Sequence, residues 1–363
     1  MRGFIERELA PHAERWEDEE WFPNDVFPKL AAQGLLGLKY PEELGGQGGT
    51  WLDDAVLAEE LARIGSGGAA AGIGAHISIA TPPIWKFGDA GQHERYLAPA
   101  IRGEKIGALG ITEPGAGSDV AGLQAAARPV DGGWLVNGEK TYITNGVRAD
   151  FIVTAVKTSA QGGHDGISFL IVDHTDEVVS APLKKLGWHA SDTATISYQD
   201  AFVPAENLLG GLNEGFKLIM ANFQWERLVM ALGAVGAMQL AYEKTAAYAR
   251  ERTAFGRPLS GHQAIRHKLV DIATRLHTCR CVTYDALRRF VEDEAAVSEV
   301  TMAKLVTQRA AFEVMDECLQ IHGGAGYMRE FWVERAARDA RLGPIGGGTD
   351  EIMREILGRV LAL

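Results

Sequence analysis

The sequence is poor in cysteine, and its few cysteines form no recognisable pattern. Only Cys279, Cys281 and Cys318 occur among 363 residues. Their number is odd and no two of them form a CxxC pair, so neither a disulfide framework nor a cysteine-based metal site is indicated. We therefore expect reduced thiols, a cytoplasmic location and no metal ion.

Long apolar runs and an excess of basic residues are also missing. No uncharged apolar run approaches the roughly 18–20 residues that a membrane-spanning helix requires, and the charged N-terminal segment lacks the apolar stretch of a signal peptide. The formal net charge is -12 at pH 7. Because binding to nucleic acid requires clustered lysine and arginine, we predict neither a nucleic-acid partner nor a membrane span.

Three kinds of sequence pattern follow one another along the chain. Residues 1–105 have apolar residues at helical spacing, and residues 106–210 have short β-branched or aromatic runs between turn residues. Segment 133–146 contains two Asn-Gly pairs, which we interpret as hairpin turns. Residues 211–363 form long helical segments with continuous apolar stripes, typical of a bundle. We predict three domains and an α+β protein with an inserted β layer.

Two glycine-rich segments are candidates for holding an anion. Segment 110–123 (GITEPGAGSDVAGL) could bind a flavin edge or a phosphate through its hydroxyls and free N–H groups. A glycine-rich loop taken alone is more often a turn, and this one matches neither a Walker loop nor a dinucleotide fingerprint. In segment 344–354 (PIGGGTDEIMR), Thr349 can cap a helix whose positive end suits Asp350 and Glu351.

Glu226 is a charged residue on an otherwise apolar helix face. Its neighbours at helical spacing include Phe223, Val229 and Met230, so its side chain is predicted to point into the interior or a cleft. A buried carboxylate without a partner is costly. Spacing alone leaves two interpretations open: an ion pair with an arginine elsewhere in the bundle, which is the commoner case, or a functional acid.

Five segments together resemble the acyl-CoA dehydrogenase family in order and spacing, and the resemblance covers essentially the whole chain. They are ITEPGAGSD (111–119), KTYITNG (140–146), RTAFGRPLSGHQAI (252–265), QIHGGAGY (320–327) and RDARLGPIGGGTDEIMR (338–354). The resemblance implies a helical N-terminal domain, a middle β-barrel-like domain and a C-terminal four-helix bundle. It also implies FAD between the last two domains, and a homodimer or homotetramer.

The resemblance implies which residues hold FAD. One group meets the flavin ring, where Tyr142 replaces the tryptophan that the family often has. The second group meets the diphosphate and adenine, partly from a neighbouring subunit. The ring group is Ile111, Thr112, Ser118, Tyr142 and Thr144; the second group is Arg252, Phe255, Gln263, Gln320, Gly323, Gly324, Thr349 and Glu351.

The resemblance also locates the catalytic base. The family removes a proton from the α carbon of an acyl thioester and passes a hydride from the β carbon to flavin N5, so a carboxylate must accept the proton. Many members carry that glutamate where this chain has Gly347. Isovaleryl-type and long-chain-type members carry it at the helix position of Glu226, which implies this subgroup with Glu226 as base. Substrate contacts are implied for Ser118, Arg227, Gly347 and Gly348.

The implied activity is FAD-dependent conversion of an acyl-CoA to a trans-2-enoyl-CoA, as in fatty-acid β-oxidation. An electron-transfer flavoprotein would accept the electrons. Three alternatives stay open: the same dehydrogenation on a carrier-protein-bound acyl group, a flavin oxidase or monooxygenase on the same fold, and an inactive subunit that only binds FAD or acyl-CoA. Chain length and branching of the acyl group are not determined by these motifs.

Overall fold

A computed structural model describes residues 1–159, 163–293 and 296–363. It has a helical N-terminal domain, a middle β-sheet domain and a helical C-terminal domain, so the predicted order of elements is confirmed. Within the described part of the chain, no helix is both long enough and apolar enough to cross a membrane.

Short helices joined by 3-10 and π-helical turns build the N-terminal domain. Helix α4 begins with a capping box, in which Thr50 and Asp53 satisfy each other's backbone N–H groups. A stretch rich in small residues forms α5, a π-helical segment (Ala75–Ala80) and α6. The helices are α1 (Arg2–Phe4), α2 (Ala13–Asp18), α3 (Val26–Ala32), α4 (Trp51–Leu61), α5 (Gly67–Gly74), α6 (Thr81–Phe87), α7 (Ala90–Gln92) and α8 (Ala98–Ile101).

Strands of the middle domain form one mixed sheet with an apolar cluster on each face. The strand order is β6-β7-β3-β2-β4-β5-β8, and β1 pairs with β4 in parallel. A separate two-stranded hairpin, β9 and β10, lies further along the chain. The strands are β1 (Gly107–Gly110), β2 (Ala126–Val130), β3 (Gly133–Ile143), β4 (Phe151–Lys157), β5 (Ile167–Asp173), β6 (Val178–Pro182), β7 (Ala194–Pro204), β8 (Leu208–Leu209), β9 (Thr253–Ala254) and β10 (Arg257–Pro258).

The predicted hairpin turn at residues 137–138 is wrong, because strand β3 runs straight through this Asn-Gly pair. Gly138 has a φ of +135°, and the pairing register of β3 with β7 shifts between Val136 and Gly138. The glycine therefore serves a β-bulge, which also needs an unusual backbone conformation. The hairpin between β2 and β3 turns instead at Gly132 and the aspartate before it. The second Asn-Gly pair, 145–146, does lie in a turn after β3.

Three long helices dominate the C-terminal domain, and two shorter ones pack against them. These are α9 (Gly215–Glu251), α10 (Gln263–Glu292), α11 (Val297–His322), α12 (Trp332–Ala340) and α13 (Asp350–Val360). Buried aliphatic side chains of α9, α10 and α11 share one core. Helix α9 also packs on α4, where Gly236 lies so close to the Glu59 carbonyl that a Cβ would overlap it. This close approach joins the bundle to the N-terminal domain.

The three domains meet around Trp188 and His189, a loop of the β domain. The Trp188 N–H donates to Asp339 of α12 at 2.6 Å, and the Gly67 N–H donates to the same carboxylate at 3.1 Å. The His189 N–H donates to Glu17 of α2 at 3.1 Å. Burial, together with the nearby Glu17 charge, raises the pKa of Asp339 to about 7. Two neighbouring carboxylates thus bind one loop to both helical domains.

His76 links the N-terminal domain to the first strand of the β domain. Its side chain is fully buried. Its Nδ1 accepts the Gly107 N–H at 3.0 Å, and its Nε2 lies 3.1 Å from the Ala100 carbonyl oxygen. These two contacts fit a neutral ring protonated at Nε2. Burial lowers the pKa of His76 to about 4.

We expect the His76→Asn substitution to cost less stability at pH 4 than at pH 7. The unfolded chain binds a proton at His76 below about pH 6.5, whereas the folded chain binds it only below about pH 4. The wild type therefore loses stability as pH falls through this range, and asparagine does not titrate. The difference in free energy of unfolding should shrink by about 3 kcal/mol. Urea-induced unfolding at both pH values measures it, with the exposed His267 changed to asparagine as the control; a pH-independent difference would contradict the assignment.

Candidate active site

The segment after strand β1 folds against strand β3. The Thr141 N–H donates to the Thr112 carbonyl oxygen at 2.8 Å, and Lys140 donates to the Ile111 carbonyl oxygen at 3.0 Å. These contacts bring the motifs 111–119 and 140–146 together, as the resemblance implied. Two distant glycine- and threonine-rich segments thus form one surface.

A buried ion pair beneath this surface joins Glu113 to Lys140. The Lys140 ammonium donates to Glu113 Oε1 at 2.7 Å. The same carboxylate accepts the N–H groups of Gln124 at 2.5 Å and Ala125 at 2.9 Å. Burial lowers the pKa of Lys140 to about 8, and the Glu113 charge opposes this shift. Because the buried Glu113 carboxylate has several hydrogen-bond partners, it holds the segments that carry them in a fixed arrangement.

The residues expected at the flavin ring differ in exposure. Tyr142 is 70% exposed and has a φ of +61°, which is uncommon for a non-glycine residue. Thr112 and Thr144 are partly exposed, Ser118 is exposed and Ile111 is buried. An exposed aromatic ring held by an unusual backbone conformation, beside two threonines, is a suitable platform for a flat ligand.

The residues expected at the diphosphate and adenine lie in three other places. Arg252 precedes β9, Phe255 lies in the turn between β9 and β10, and Gln263 begins α10. All three are exposed, and Phe255 is 96% exposed. Gln320, Gly323 and Gly324 are exposed at the end of α11. A bare aromatic ring on a hairpin tip is consistent with a contact to another chain.

Thr349 caps helix α13, as its sequence position predicts. Its Oγ1 accepts the Ile352 N–H at 3.2 Å. Glu351 in the first turn is exposed, whereas Asp350 is buried and receives a hydrogen bond of 2.7 Å from Arg309. Acidic residues at this end of a helix interact favourably with its dipole.

Glu226 lies in α9 with a buried, unpartnered oxygen. Its Oε2 atom has no hydrogen-bond partner among the described residues, so the simple ion-pair interpretation receives no support. Burial raises the pKa of Glu226 to about 7, although the nearby cations Arg227 and Lys304 act in the opposite direction. A carboxyl group that titrates near neutral pH can both take up and release a proton.

Gly347 lies directly opposite Glu226. A Cβ built on Gly347 would be 3.8 Å from Glu226 Oε1, so the glycine faces the carboxylate that the resemblance pairs with it. The same Cβ would overlap the sulfur of Met230, and Gly347 has a φ of +61°. A side chain at 347 would therefore require Met230 to move, as well as a strained backbone.

Arg227 and Gln224 are also buried in this part of α9. Arg227 is 5% exposed, its guanidinium lies 5.4 Å from the centre of the Phe223 ring, and its Nε has no partner among the described residues. The Oε1 of Gln224 is likewise buried and unpartnered. Unsatisfied polar atoms beside a carboxylate are typical of a site that binds a polar ligand.

Comparisons with known proteins identify the family of this chain. Three sequence models match the chain: the acyl-CoA dehydrogenase N-terminal domain over residues 1–104, its middle domain over 108–201 and its C-terminal domain over 213–362. The chain belongs to the acyl-CoA dehydrogenase family. Its members are flavin-dependent dehydrogenases, and FAD is their cofactor.

Known acyl-CoA dehydrogenases match this chain over almost its whole length. The probable acyl-CoA dehydrogenase YngJ of Bacillus subtilis (strain 168) is 38% identical, with 99% of this chain and 96% of that protein covered. The mitochondrial isovaleryl-CoA dehydrogenase of Arabidopsis thaliana is 37% identical, with 99% and 88% covered. The crystal structure of a probable acyl-CoA dehydrogenase from Mycobacterium abscessus matches with a TM-score of 0.96 at 44% identity, covering 99% and 96%.

A solved structure with a different described activity shares the fold. The prolyl acyl carrier protein oxidase AnaB matches with a TM-score of 0.91 at 28% identity, covering 100% of this chain and 99% of that one. The fold of the acyl-CoA dehydrogenase family therefore does not by itself distinguish CoA from a carrier protein.

The residues present fit FAD. Tyr142 offers an exposed aromatic face beside Thr112 and Thr144. Gly323 and Gly324 have no atom within 4 Å of the position where a Cβ would stand, so a ligand can approach their backbone closely. FAD held by these residues would supply a hydride acceptor.

Sequence reasoning missed three residues that shape this site. Glu113 and Lys140 lie within the motifs 111–119 and 140–146, and an acid and a lysine in two co-folding segments were the available signal. Lys304 has Thr301, Thr307 and Gln308 at helical spacing on α11, so no apolar face in the sequence marks it as buried. Only tertiary contacts show whether a charged residue in such a segment belongs to an ion pair or to a functional site.

Proposed function

We propose that this chain is an FAD-dependent acyl-CoA dehydrogenase of the isovaleryl- and long-chain-type subgroup, with Glu226 as its base. The observation that carries the proposal is the 3.8 Å approach between Glu226 Oε1 and the Cβ position of Gly347. Position 347 holds a glycine, which cannot act as a base. The carboxylate of Glu226 on α9 lies beside that position. This is the pairing that the sequence resemblance associates with the subgroup.

The proposed reaction assigns each residue a step. Glu226, in its ionised form, takes the proton from the α carbon of the acyl thioester. Burial raises the pKa of Glu226 to about 7. FAD held by the residues around Tyr142 would supply the acceptor for the hydride of the β carbon. Arg227 lies next to the base and would orient the CoA arm, and Gly347 and Gly348 would form the wall against the thioester. Ser118 would contact substrate and cofactor from the β domain.

The electrons are proposed to leave through an electron-transfer flavoprotein, and the protein is proposed to act as a homodimer or homotetramer. The exposed Phe255 supports a contact between subunits, since such a large apolar surface is unfavourable in water. A second candidate function is dehydrogenation or oxidation of a carrier-protein-bound acyl group, which the likeness to AnaB supports.

A titration with acyl thioesters tests the proposal. The purified FAD-loaded protein is mixed, without oxygen, with acyl-CoAs that differ in chain length and branching, and with the same acyl groups on a carrier protein. We expect acyl-CoA to bleach the flavin absorbance, to yield a trans-2-enoyl-CoA by mass spectrometry, and to react faster as pH rises through about 7. Bleaching by the carrier-bound group alone favours the second candidate, and rapid peroxide formation in air favours an oxidase.

A further inference from the structure

Lys304 is a buried lysine to which the proposed reaction gives no part. It lies in α11, and its side chain has no exposed surface. An ammonium group in a protein interior is unfavourable unless nearby charges and hydrogen bonds compensate for lost water. Burial accordingly lowers its pKa to about 8, which leaves it largely protonated at neutral pH. The partners of this group indicate why it is there.

The Lys304 ammonium donates a hydrogen bond of 2.5 Å to the carbonyl oxygen of Gly348. Gly348 has a φ of +93° and Gly347 a φ of +61°. Two successive residues with positive φ form a turn that glycine adopts without a steric cost, and the Asp350 N–H closes this turn by donating to the Pro344 carbonyl oxygen at 3.0 Å. The bond from Lys304 is an additional contact, which anchors the turn to α11.

Glu226 approaches the same turn at the neighbouring residue, Gly347. The Cβ position of Gly347 is 3.8 Å from Glu226 Oε1, whereas the Gly348 carbonyl oxygen is bound to Lys304. Helix α11 also contacts the helix of the base, because Gln308 donates to the Met230 carbonyl oxygen at 2.6 Å. Helix α11 thus contacts both the turn and the helix that carries Glu226.

Charged groups from two neighbouring helices interact with Lys304. Glu226 and Arg227 face it from α9, and Asp350 and Glu351 face it from the start of α13. Asp350 already receives a hydrogen bond from Arg309 on α11 itself. The cations that interact with Glu226 are Arg227 on its own helix and Lys304 on α11.

We infer that Lys304 is a positioning residue for the proposed base: its ammonium group holds the Gly347–Gly348 turn against the Glu226 carboxylate, and its positive charge favours the ionised carboxylate. The inference rests on the proposed function, because it takes Glu226 as the base. A nearby cation stabilises a carboxylate over its acid, and the base must be ionised to accept a proton. Removing the cation should therefore move the acidic limb of the rate profile to higher pH.

The Lys304→Met variant tests this inference in the FAD-loaded protein. With the acyl-CoA that bleaches the wild type fastest, we expect its acidic limb to lie about one pH unit higher, so that bleaching on the acidic side is about tenfold slower. The Lys304→Arg variant keeps the cation and should keep the wild-type limb, with a lower maximal rate because the larger guanidinium displaces the turn. The Lys268→Met variant, which removes a partly exposed ion pair with Glu317, should change neither quantity.

Distinct outcomes overturn the inference. The inference is overturned if the acidic limb of Lys304→Met lies at the same pH as that of the wild type. It is also overturned if the acidic limb of Lys304→Arg shifts as far as that of Lys304→Met. If Lys304→Met does not retain FAD, Lys304→Gln replaces it; if neither neutral variant retains FAD, Lys304→Arg decides alone, with an unshifted limb in support and a shifted limb against. If no acyl thioester bleaches the wild type, the proposed function fails and the inference fails with it, which is a different result from bleaching with an unaltered limb.

Discussion

The Glu226→Gln variant should bind FAD and acyl-CoA but leave the flavin oxidised. Glutamine has nearly the same shape as glutamate and cannot accept the α proton, so we expect the bleaching rate to fall by about 10³-fold or more. The fold should tolerate the change. Burial raises the pKa of Glu226 to about 7, so a large share of the wild-type side chain is already uncharged at neutral pH. Stopped-flow absorbance of the flavin under anaerobic conditions measures the effect.

Glu251 provides the matched control for this variant. It is an exposed glutamate at the end of the same helix, and Glu251→Gln should bleach at the wild-type rate. Normal turnover by Glu226→Gln would show that another group removes the proton. A loss of FAD from that variant would instead assign Glu226 to the structure of the site.

The Glu113→Gln variant should lose much of its affinity for FAD. The carboxylate accepts three hydrogen bonds, from Lys140 and from the N–H groups of Gln124 and Ala125. Lys140 is fully buried, so removal of its anion leaves a charge in the interior, at a cost of about 3–5 kcal/mol. Because this pair lies under the loop of Thr112, we expect the dissociation constant of FAD to rise by about 10²-fold or more.

Two further variants identify the cause of that loss. The double variant Glu113→Gln/Lys140→Met removes both charges and should recover part of the affinity, because an apolar replacement of a buried pair is often well tolerated. Glu104→Gln breaks an exposed ion pair with Arg102 and should have no effect. Flavin fluorescence during dilution measures FAD release. Wild-type retention of FAD by Glu113→Gln would contradict the role assigned to the pair.

The order of the domains follows from local patterns and was therefore predictable. Helical spacing in residues 211–363 and β-branched runs in 106–210 are periodicities that a chain shows before it folds. The Asn137-Gly138 pair was misread because glycine serves a hairpin turn and a β-bulge equally well. The partner strand β7 decides between them, and a single sequence does not show which strand that will be.

The candidate base was predictable only with the family resemblance. Spacing placed Glu226 on an apolar face but left an ion pair as the commoner explanation. The structure adds what spacing lacks, namely the unpartnered Oε2 atom and the approach to Gly347. It also shows Met230 over Gly347, a contact between segments that lie more than a hundred residues apart in the sequence. Tertiary packing of this kind has no local signature.

Exchange of α hydrogens in heavy water tests the role of Glu226 most directly. An acyl-CoA analogue with sulfur in place of the β carbon keeps acidic α hydrogens but has no β hydrogen to transfer, so proton removal is observed without flavin reduction. We expect the wild type to exchange the α hydrogens for deuterium, as measured by mass spectrometry. Glu226→Gln should exchange them only at the uncatalysed rate. Equal exchange by the two proteins would contradict the assignment of Glu226 as the base.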